Sequence, residues 1–372
     1  MSAKSRKSET ALLDEAVSWL EGRLPDGWSI ERYTTGGPAD AYPDSTLGLR
    51  ASGGSSASIA VEVRDSLSPQ EAMNLLPRLA RVLHSMTGGA ALLVVAPWLS
   101  ERTRELLSAQ QINYIDLTGN ALMRLDNPAV YVETVGASRN PEPKSRGRTQ
   151  LRGSKAARLI RLLADVRPPY GAGELAEATD LAPGYVSRLL DTLYREALIE
   201  RSPRGPIESV DVPALLRRWA SSYDVFKTND SSAFVAPAGV DALLSRLVEE
   251  PGVGARVAIT GSFAAARLAP VASPALLAAY CDSVAPIAHD LELLVADEGA
   301  NVVLLQPFDP VVWQRTSIEN GLRYVAPSQI AVDCLTGNGR MPAEGEALLE
   351  WMQADEEGWR LPSLPAPKQS KP

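Results

Sequence analysis

The chain has 372 residues, 45% hydrophobic and 22% charged, with 37 Lys plus Arg against 45 Asp plus Glu and a formal net charge of −8. That length implies two or three domains with their own cores, and the acidic balance argues against a general nucleic-acid coat. Two cysteines, Cys281 and Cys334, and two histidines, His84 and His289, offer neither a disulfide framework nor a Cys/His zinc site; with no signal-peptide core and no membrane-length apolar run, the expected location is cytoplasmic and no membrane is expected as a partner.

Residues 9–137 are expected to form a mixed α/β domain. A helix over 10–23, capped by Thr10, is followed by a strand over 58–64 (SIAVEVR), a helix over 69–86 and a buried strand over 90–95. A helix over 100–109, capped by Ser100, and strands over 113–116, 121–125 and 130–135 complete the block. Within it, INYIDLTGN (112–120) reads as a turn held by local Asp116 and Asn120 hydrogen bonds, with a polar site at a strand end as the functional alternative.

Residues 138–152 read as a basic linker, punctuated by Pro141, Pro143 and Gly147. Together with the start of the next helix, residues 138–161 hold Arg139, Lys144, Arg146, Arg148, Arg152, Lys155, Arg158 and Arg161 against the single acid Glu142. Such a cluster reads as both linker and phosphate-contacting arm, since each cation that neutralises a phosphate releases a counterion.

Residues 153–222 read as a winged helix-turn-helix. The first helix, 153–166, carries Ala157, Ile160, Leu163 and Ala164 at helical spacing and is stopped by Arg167-Pro168-Pro169. A second short helix spans 173–179, and 180–182 is the turn. The third helix, 183–197, starts on Pro183 and buries Val186, Leu189, Leu190, Leu193 and Tyr194. Its groove-facing residues are Tyr185, Ser187 and Arg188, with Arg188 suited to guanine and Ser187 to a base or phosphate. Two extended runs around Ser202-Pro203-Arg204-Gly205 read as the wing, from which Arg201 and Arg204 reach phosphate or the minor groove.

Residues 234–360 read as a second α/β domain, with strands at 257–260, 279–281, 291–295 and 302–305 and helices at 239–249 and 344–355. Thr260-Gly261-Ser262 sits between a strand and a helix, where such a turn holds an anion in nucleotidyltransferases, but no Asp-x-Asp pair follows closely. Residues 360–372 read as a flexible tail. The fold class is therefore α/β (α+β) multidomain.

Two resemblances follow. Asp44 after Pro43, then Glu62-Val63-Arg64, resembles the PD-(D/E)xK pattern of restriction-endonuclease-like domains, in which carboxylates hold a divalent metal and a Lys activates water. Here Arg64 stands at the Lys position, and it cannot give up its proton. The candidate catalytic residues are thus Asp44, Glu62 and Arg64, with magnesium as a cofactor only in that alternative and none otherwise. Second, VEVR, YIDLTGN, GYVSRLL and VAPSQIAVDCLTGNGRMPAEGEALLEWM together resemble AbiEi-type antitoxins of type IV toxin–antitoxin systems, across residues 58–352. That resemblance implies a transcriptional regulator, in some cases repressing its own operon, whose toxin is a nucleotidyltransferase on a separate chain. Members normally begin with the winged helix, whereas here an α/β domain precedes it. The expected function is a sequence-specific regulator acting as a homodimer on double-stranded DNA. The alternatives are a metal-dependent nuclease targeted by the winged helix and a protein-interaction module in phage defence.

Overall fold

The structure, a computed structural model, describes residues 8–33, 45–85, 90–142, 151–202, 205–296 and 298–364. The fold is α+β with several domains, and the chain divides into two compact units: residues 1–147, to which 195–197 are counted, and residues 148–194 with 198–372.

The first unit is a seven-stranded sheet whose strands lie in chain order. Its elements are α1 (Glu9–Glu21), β1 (Ser29–Tyr33), β2 (Ser45–Arg50), β3 (Ser56–Val63), α2 (Pro69–Ser85), β4 (Ala91–Ala96), α3 (Glu101–Ala109), β5 (Asn113–Asp116), β6 (Ala121–Asp126) and β7 (Ala129–Thr134). The pairs β3/β4 and β4/β5 are parallel; β1/β2, β2/β3, β5/β6 and β6/β7 are antiparallel. Parallel neighbours need crossovers, and α2 and α3 supply them. Helices on both faces bury β3 and β4 twice; β4 (ALLVVA) is apolar throughout, and β3 (SASIAVEV) is apolar on both faces apart from its serines and the buried Glu62. Ile59, Val61, Val63, Leu93 and Val95 face α1 through Leu12, Leu13, Ala16 and Leu20. Ala60, Leu92 and Val94 face the other way, onto Ala72, Leu75 and Leu79 of α2 and Leu107 of α3. The cap of α1 is Ser8, not Thr10: Ser8 is extended and its Oγ accepts from Ala11 N at 3.2 Å, while Thr10 already lies in the first turn. Ser100 caps α3 as expected, accepting from Thr103 N at 3.1 Å.

The second unit begins with α4 (Gly153–Asp165), α5 (Ala172–Thr179), α6 (Pro183–Arg195), β8 (Ile199–Arg201), β9 (Ile207–Val210), α7 (Val212–Ala220) and α8 (Val225–Thr228). It continues through β10 (Asp230–Val235), α9 (Val240–Glu249), α10 (Pro251–Gly254), β11 (Val257–Thr260), α11 (Gly261–Leu268), β12 (Leu277–Cys281), α12 (Val284–Asp290), β13 (Leu294–Val295) and β14 (Val302–Gln306). A 3-10 turn (Pro310–Trp313), β15 (Ser317–Glu319), β16 (Leu322–Tyr324), α13 (Pro327–Leu335), α14 (Met341–Ala354) and α15 (Glu356–Trp359) complete it. Its sheet has the order β13-β10-β14-β12-β11-β16-β15, with β12/β14 and β11/β16 parallel. The strand expected over 291–295 is only Leu294–Val295, because Glu292 takes a left-handed backbone (φ 55°) and turns the chain after α12. One apolar core runs through this unit, from Ile160, Leu190 and Trp219 to Ile259, Tyr280 and Val332.

The YIDLTGN segment is a closed turn. The fully buried Asp116 carboxylate accepts from Leu99 N (3.0 Å), Thr118 N (2.9 Å), Thr118 Oγ1 (2.7 Å), Asn120 N (3.1 Å) and Asn120 Nδ2 (2.8 Å). Asn120 also ties the turn to residues 136 and 137. All this polarity is directed inward, so the segment is scaffold. Asp116→Ala strands several buried donors and should destabilise the first unit by roughly 3 kcal/mol. Urea unfolding followed by tryptophan fluorescence measures this; a loss well under 1 kcal/mol contradicts it.

Candidate nucleic-acid interface

Helices α4, α5 and α6 pack as a tri-helical unit. Val186, Leu189, Leu190 and Leu193 of α6 are buried in the core that also holds Ile160 and Leu163 of α4 and Leu175 of α5. The Glu174 carboxylate accepts from Gly171 N at 2.6 Å and secures the start of α5. Asp180 takes the left-handed conformation (φ 53°) that ends α5, which Asp tolerates better than most side chains. Pro183 then opens α6, having no amide hydrogen to leave unpaired.

This leaves one face of α6 outward. Ser187 and Arg188 are exposed, and Tyr185 is half-buried. Lys155 is exposed on α4, and its Nζ stands 6.0 Å from the centroid of the Tyr185 ring. A cation from the first helix and the first turn of the third thus share one surface, which spacing along the sequence did not reveal. Arg152 is exposed just ahead of α4.

Strands β8 and β9 form the wing, paired Ile199↔Val210, Glu200↔Ser209 and Arg201↔Ile207. Arg201 pairs with Asp191 of α6 and lies 5.6 Å from the centroid of Tyr194. It braces the wing to the helix. Glu200 and Glu208 are exposed on the strands. Arg204, Arg146, Arg148 and Asp44 lie outside the described residues.

Two arginines of the expected phosphate arm have a different place. Arg158 makes a two-pronged contact with Asp309, Nε to Oδ1 at 3.2 Å and NH2 to Oδ2 at 2.9 Å. Arg161 is fully buried, donating to Asp165 (3.2 Å), Gln329 Oε1 (2.8 Å) and Gln314 O (3.1 Å). Burial alone would raise the Asp165 carboxyl, but the guanidinium groups of Arg161 and Arg315 hold it below its ordinary value. Neither Arg158 nor Arg161 is presented to a phosphate.

Behind them, Gln329 passes the chain of polar contacts to Asp333. That buried carboxylate accepts from Thr260 (2.6 Å), Tyr223 (2.8 Å), Gln329 (2.8 Å) and Tyr280 (3.0 Å). The Thr260-Gly261-Ser262 turn is also filled from within. Ser262 Oγ donates to the buried Glu344 carboxylate at 2.5 Å, so a negative charge already occupies the start of α11. The anion site considered for that turn is thereby closed.

In the first unit Glu62 is buried and pairs with Arg64; Arg78 NH1 is 3.9 Å from the same oxygen. Among the described residues no group of three or more His, Cys, Asp or Glu is placed to hold a metal ion, and no helix is long and apolar enough to cross a membrane.

Residues 154–203, beginning in the first turn of α4, match the IclR helix-turn-helix domain family. No curated protein and no solved structure matches the chain. The chain therefore carries an IclR-type helix-turn-helix DNA-binding domain, which supports a DNA-binding transcriptional regulator.

Burial pushes the Asp333 carboxyl up from 3.8 to about 6, less far than it would without its four hydrogen-bond donors. The folded state therefore holds a proton that the unfolded state has already lost. Stability from this group is fully present below pH 3.8 and is lost as pH rises through about 6. The total is roughly 3 kcal/mol. Asp333→Asn should abolish this component, so the difference between variant and parent in urea unfolding should change across that window. A pH-independent difference contradicts the assignment.

Proposed function

We propose that the protein is a sequence-specific transcriptional regulator that reads the major groove with α6. The observation that carries this reading is the outward face of α6, where Tyr185, Ser187 and Arg188 stand beside Lys155 within a matched helix-turn-helix domain. In this reading Arg188 contacts a guanine edge and Ser187 a base or phosphate. Lys155, Arg152, Arg146 and Arg148 neutralise phosphates, with Arg204 reaching from the wing tip. The duplex site is a palindrome bound by a two-fold dimer, since a single recognition helix reads only a half-site. The protein acts in the cytoplasm. The AbiEi-type resemblance further suggests autorepression of an operon that encodes a separate toxin chain.

The sheet unit is read as non-catalytic, whether or not it is restriction-endonuclease-like. Two guanidinium groups stand at Glu62 where a nuclease carboxylate would meet a metal. With magnesium present, plasmid DNA should stay intact at an equal rate for the parent and Glu62→Ala. Nicking that the substitution removes would make the protein a nuclease.

A duplex enriched from a random-sequence pool provides the probe for binding. Arg188→Ala should weaken binding to it by about 1–3 kcal/mol and relax the base preference at one position of each half-site. Arg146→Gln with Arg148→Gln should instead weaken binding to all duplexes and reduce the slope of log affinity against log salt by about 2. Gel-shift titrations that neither change affects refute the interface.

A further inference from the structure

The first helix of the DNA-reading unit is stopped by prolines but has no glycine cap. α4 stops at Asp165, Val166 is extended, and Arg167-Pro168-Pro169 follows, so no glycine wraps the chain back over the helix end. The last carbonyls of a helix have no donors within it. Here the donors come from the other end of the chain. Arg360 NH2 donates to Leu163 O at 3.0 Å and to Val166 O at 2.6 Å. Leu361 N donates to Asp165 O at 2.8 Å, and Arg167 N returns a bond to Leu361 O at 2.8 Å. Val166 and Leu361 thus form a parallel bridge. Arg360 is only 4% exposed, and Glu356 balances its charge. A cation at a helix C-terminus also meets the negative end of the helix dipole. Residues 360 and 361, which compositional reading assigns to a flexible tail, are built into the fold.

The contacts continue toward the wing. Tyr170 OH donates to the same carbonyls, Leu163 O and Val166 O, at 3.3 Å each. The Tyr170 carbonyl accepts from Ile207 N, the first residue of β9, at 2.9 Å. One run of hydrogen bonds therefore leads from Arg360 and Leu361, through the end of α4, to the strand that carries the wing.

We propose that Arg360 and Leu361 are positioning residues for DNA reading: as a clasp on the end of α4 they set the seat of the wing relative to α6. The proposal rests on the DNA-binding function given above. Arg360 is buried and acts only through α4 and Tyr170. The sheet of this unit does not depend on it, since its partners are Leu163, Val166 and Glu356.

The test uses the full-length chain with two probes: the duplex it enriches from a random-sequence pool, and a scrambled duplex of equal length. Arg360→Met keeps the apolar stem and removes the donors. Affinity for the enriched duplex should fall about tenfold, with scrambled-duplex affinity held within about twofold. Amide exchange at Val166 and Ile207 should quicken together. Arg360→Lys, which can reach a carbonyl with a single point charge, should restore part of the discrimination. If Arg360→Met does not fold, Leu361→Pro, at a position 39% exposed, removes the amide donor to Asp165 O, with Leu361→Ala as the control for loss of the side chain, and carries the same expectation. Unchanged discrimination in a folded Arg360→Met or Leu361→Pro overturns the clasp while leaving the regulator intact. Failure of the unmodified chain to enrich any sequence overturns the regulator and the clasp with it.

Discussion

A charged side chain sealed inside α4 governs the arrangement of the DNA-reading unit. Arg161 has no exposed surface, and each arm of its guanidinium meets an acceptor: Asp165 one turn on, Gln329 of α13 and the Gln314 carbonyl. Asp165 in turn is shared with Arg315. Removing one member of a buried ion pair typically costs 3–5 kcal/mol, whereas exchanging the whole group for well-packed apolar residues is often neutral. Net stability is therefore a weak explanation for such a group. Its partners lie on α13 and just past the Pro310–Trp313 turn, so a rotation of α4 that parted them would leave a buried charge unpaired. Arg158 with Asp309 repeats the constraint a turn earlier.

The helix-turn-helix is accordingly not a module joined to its neighbour by a flexible connection. α4 and α7 pack on α13 and α14, and the apolar core is continuous from Leu190 of α6 to Val332 of α13. The recognition helix is oriented by residues that lie well over a hundred positions further along the chain. Gln329 and Arg161 link α13 to α4 directly. The Asp333 cluster lies on the same path: Gln329 donates to Asp333, and Tyr223 and Tyr280 bring α7's C-terminal turn and β12 to the same carboxylate. Low dielectric makes such a network intolerant of partial disruption. It behaves as a single joint between the reading helices and the sheet behind them.

Much of this was legible in the chain, and the gaps have physical reasons. The double-sided burial of β4 is visible in its unbroken apolar run, and the three helices of the reading unit in their apolar stripes; β3, with Ser58 and Glu62 in its run, shows a strand but not its burial on both faces. β1 (SIERY) and β2 (STLGLR) were missed because an edge strand mixes charge with apolar residues and β2 carries a glycine. Gly48 is there for a reason that pairing alone cannot show: a Cβ at that position would fall 2.6 Å from the Tyr33 ring. The burial of Arg161 did leave a signal. Ala157, Ile160, Arg161 and Ala164 are spaced i, i+3, i+4, i+7, so Arg161 lies on the apolar stripe of α4 and not on its solvent face. Composition alone groups Arg161 with the basic arm, whereas the helical period places it inside. The outward face of α6 was legible from the same kind of spacing. The pairing of Arg201 with Asp191 was not, since it depends on how a strand folds back over a helix. The same holds for Arg360, whose partners are nearly two hundred residues away.

The electrostatics of the reading unit constrain how it binds. Lys155 and Arg188 are exposed, but so are Glu174, Glu177 and Asp180 on α5 and its turn, and Glu200 and Glu208 on the wing strands. Arg158, Arg161 and Arg201 are committed to carboxylates within the fold. Phosphate affinity scales with the number of cations that displace counterions, and the acids beside this surface oppose that term. Among the described residues these acids therefore offset part of the phosphate attraction that Lys155, Arg152 and Arg188 supply. Discrimination has to come from base-edge contacts by α6, and affinity from repeating those contacts. In the proposed two-fold assembly the second recognition helix would bind at the high effective concentration set by the first.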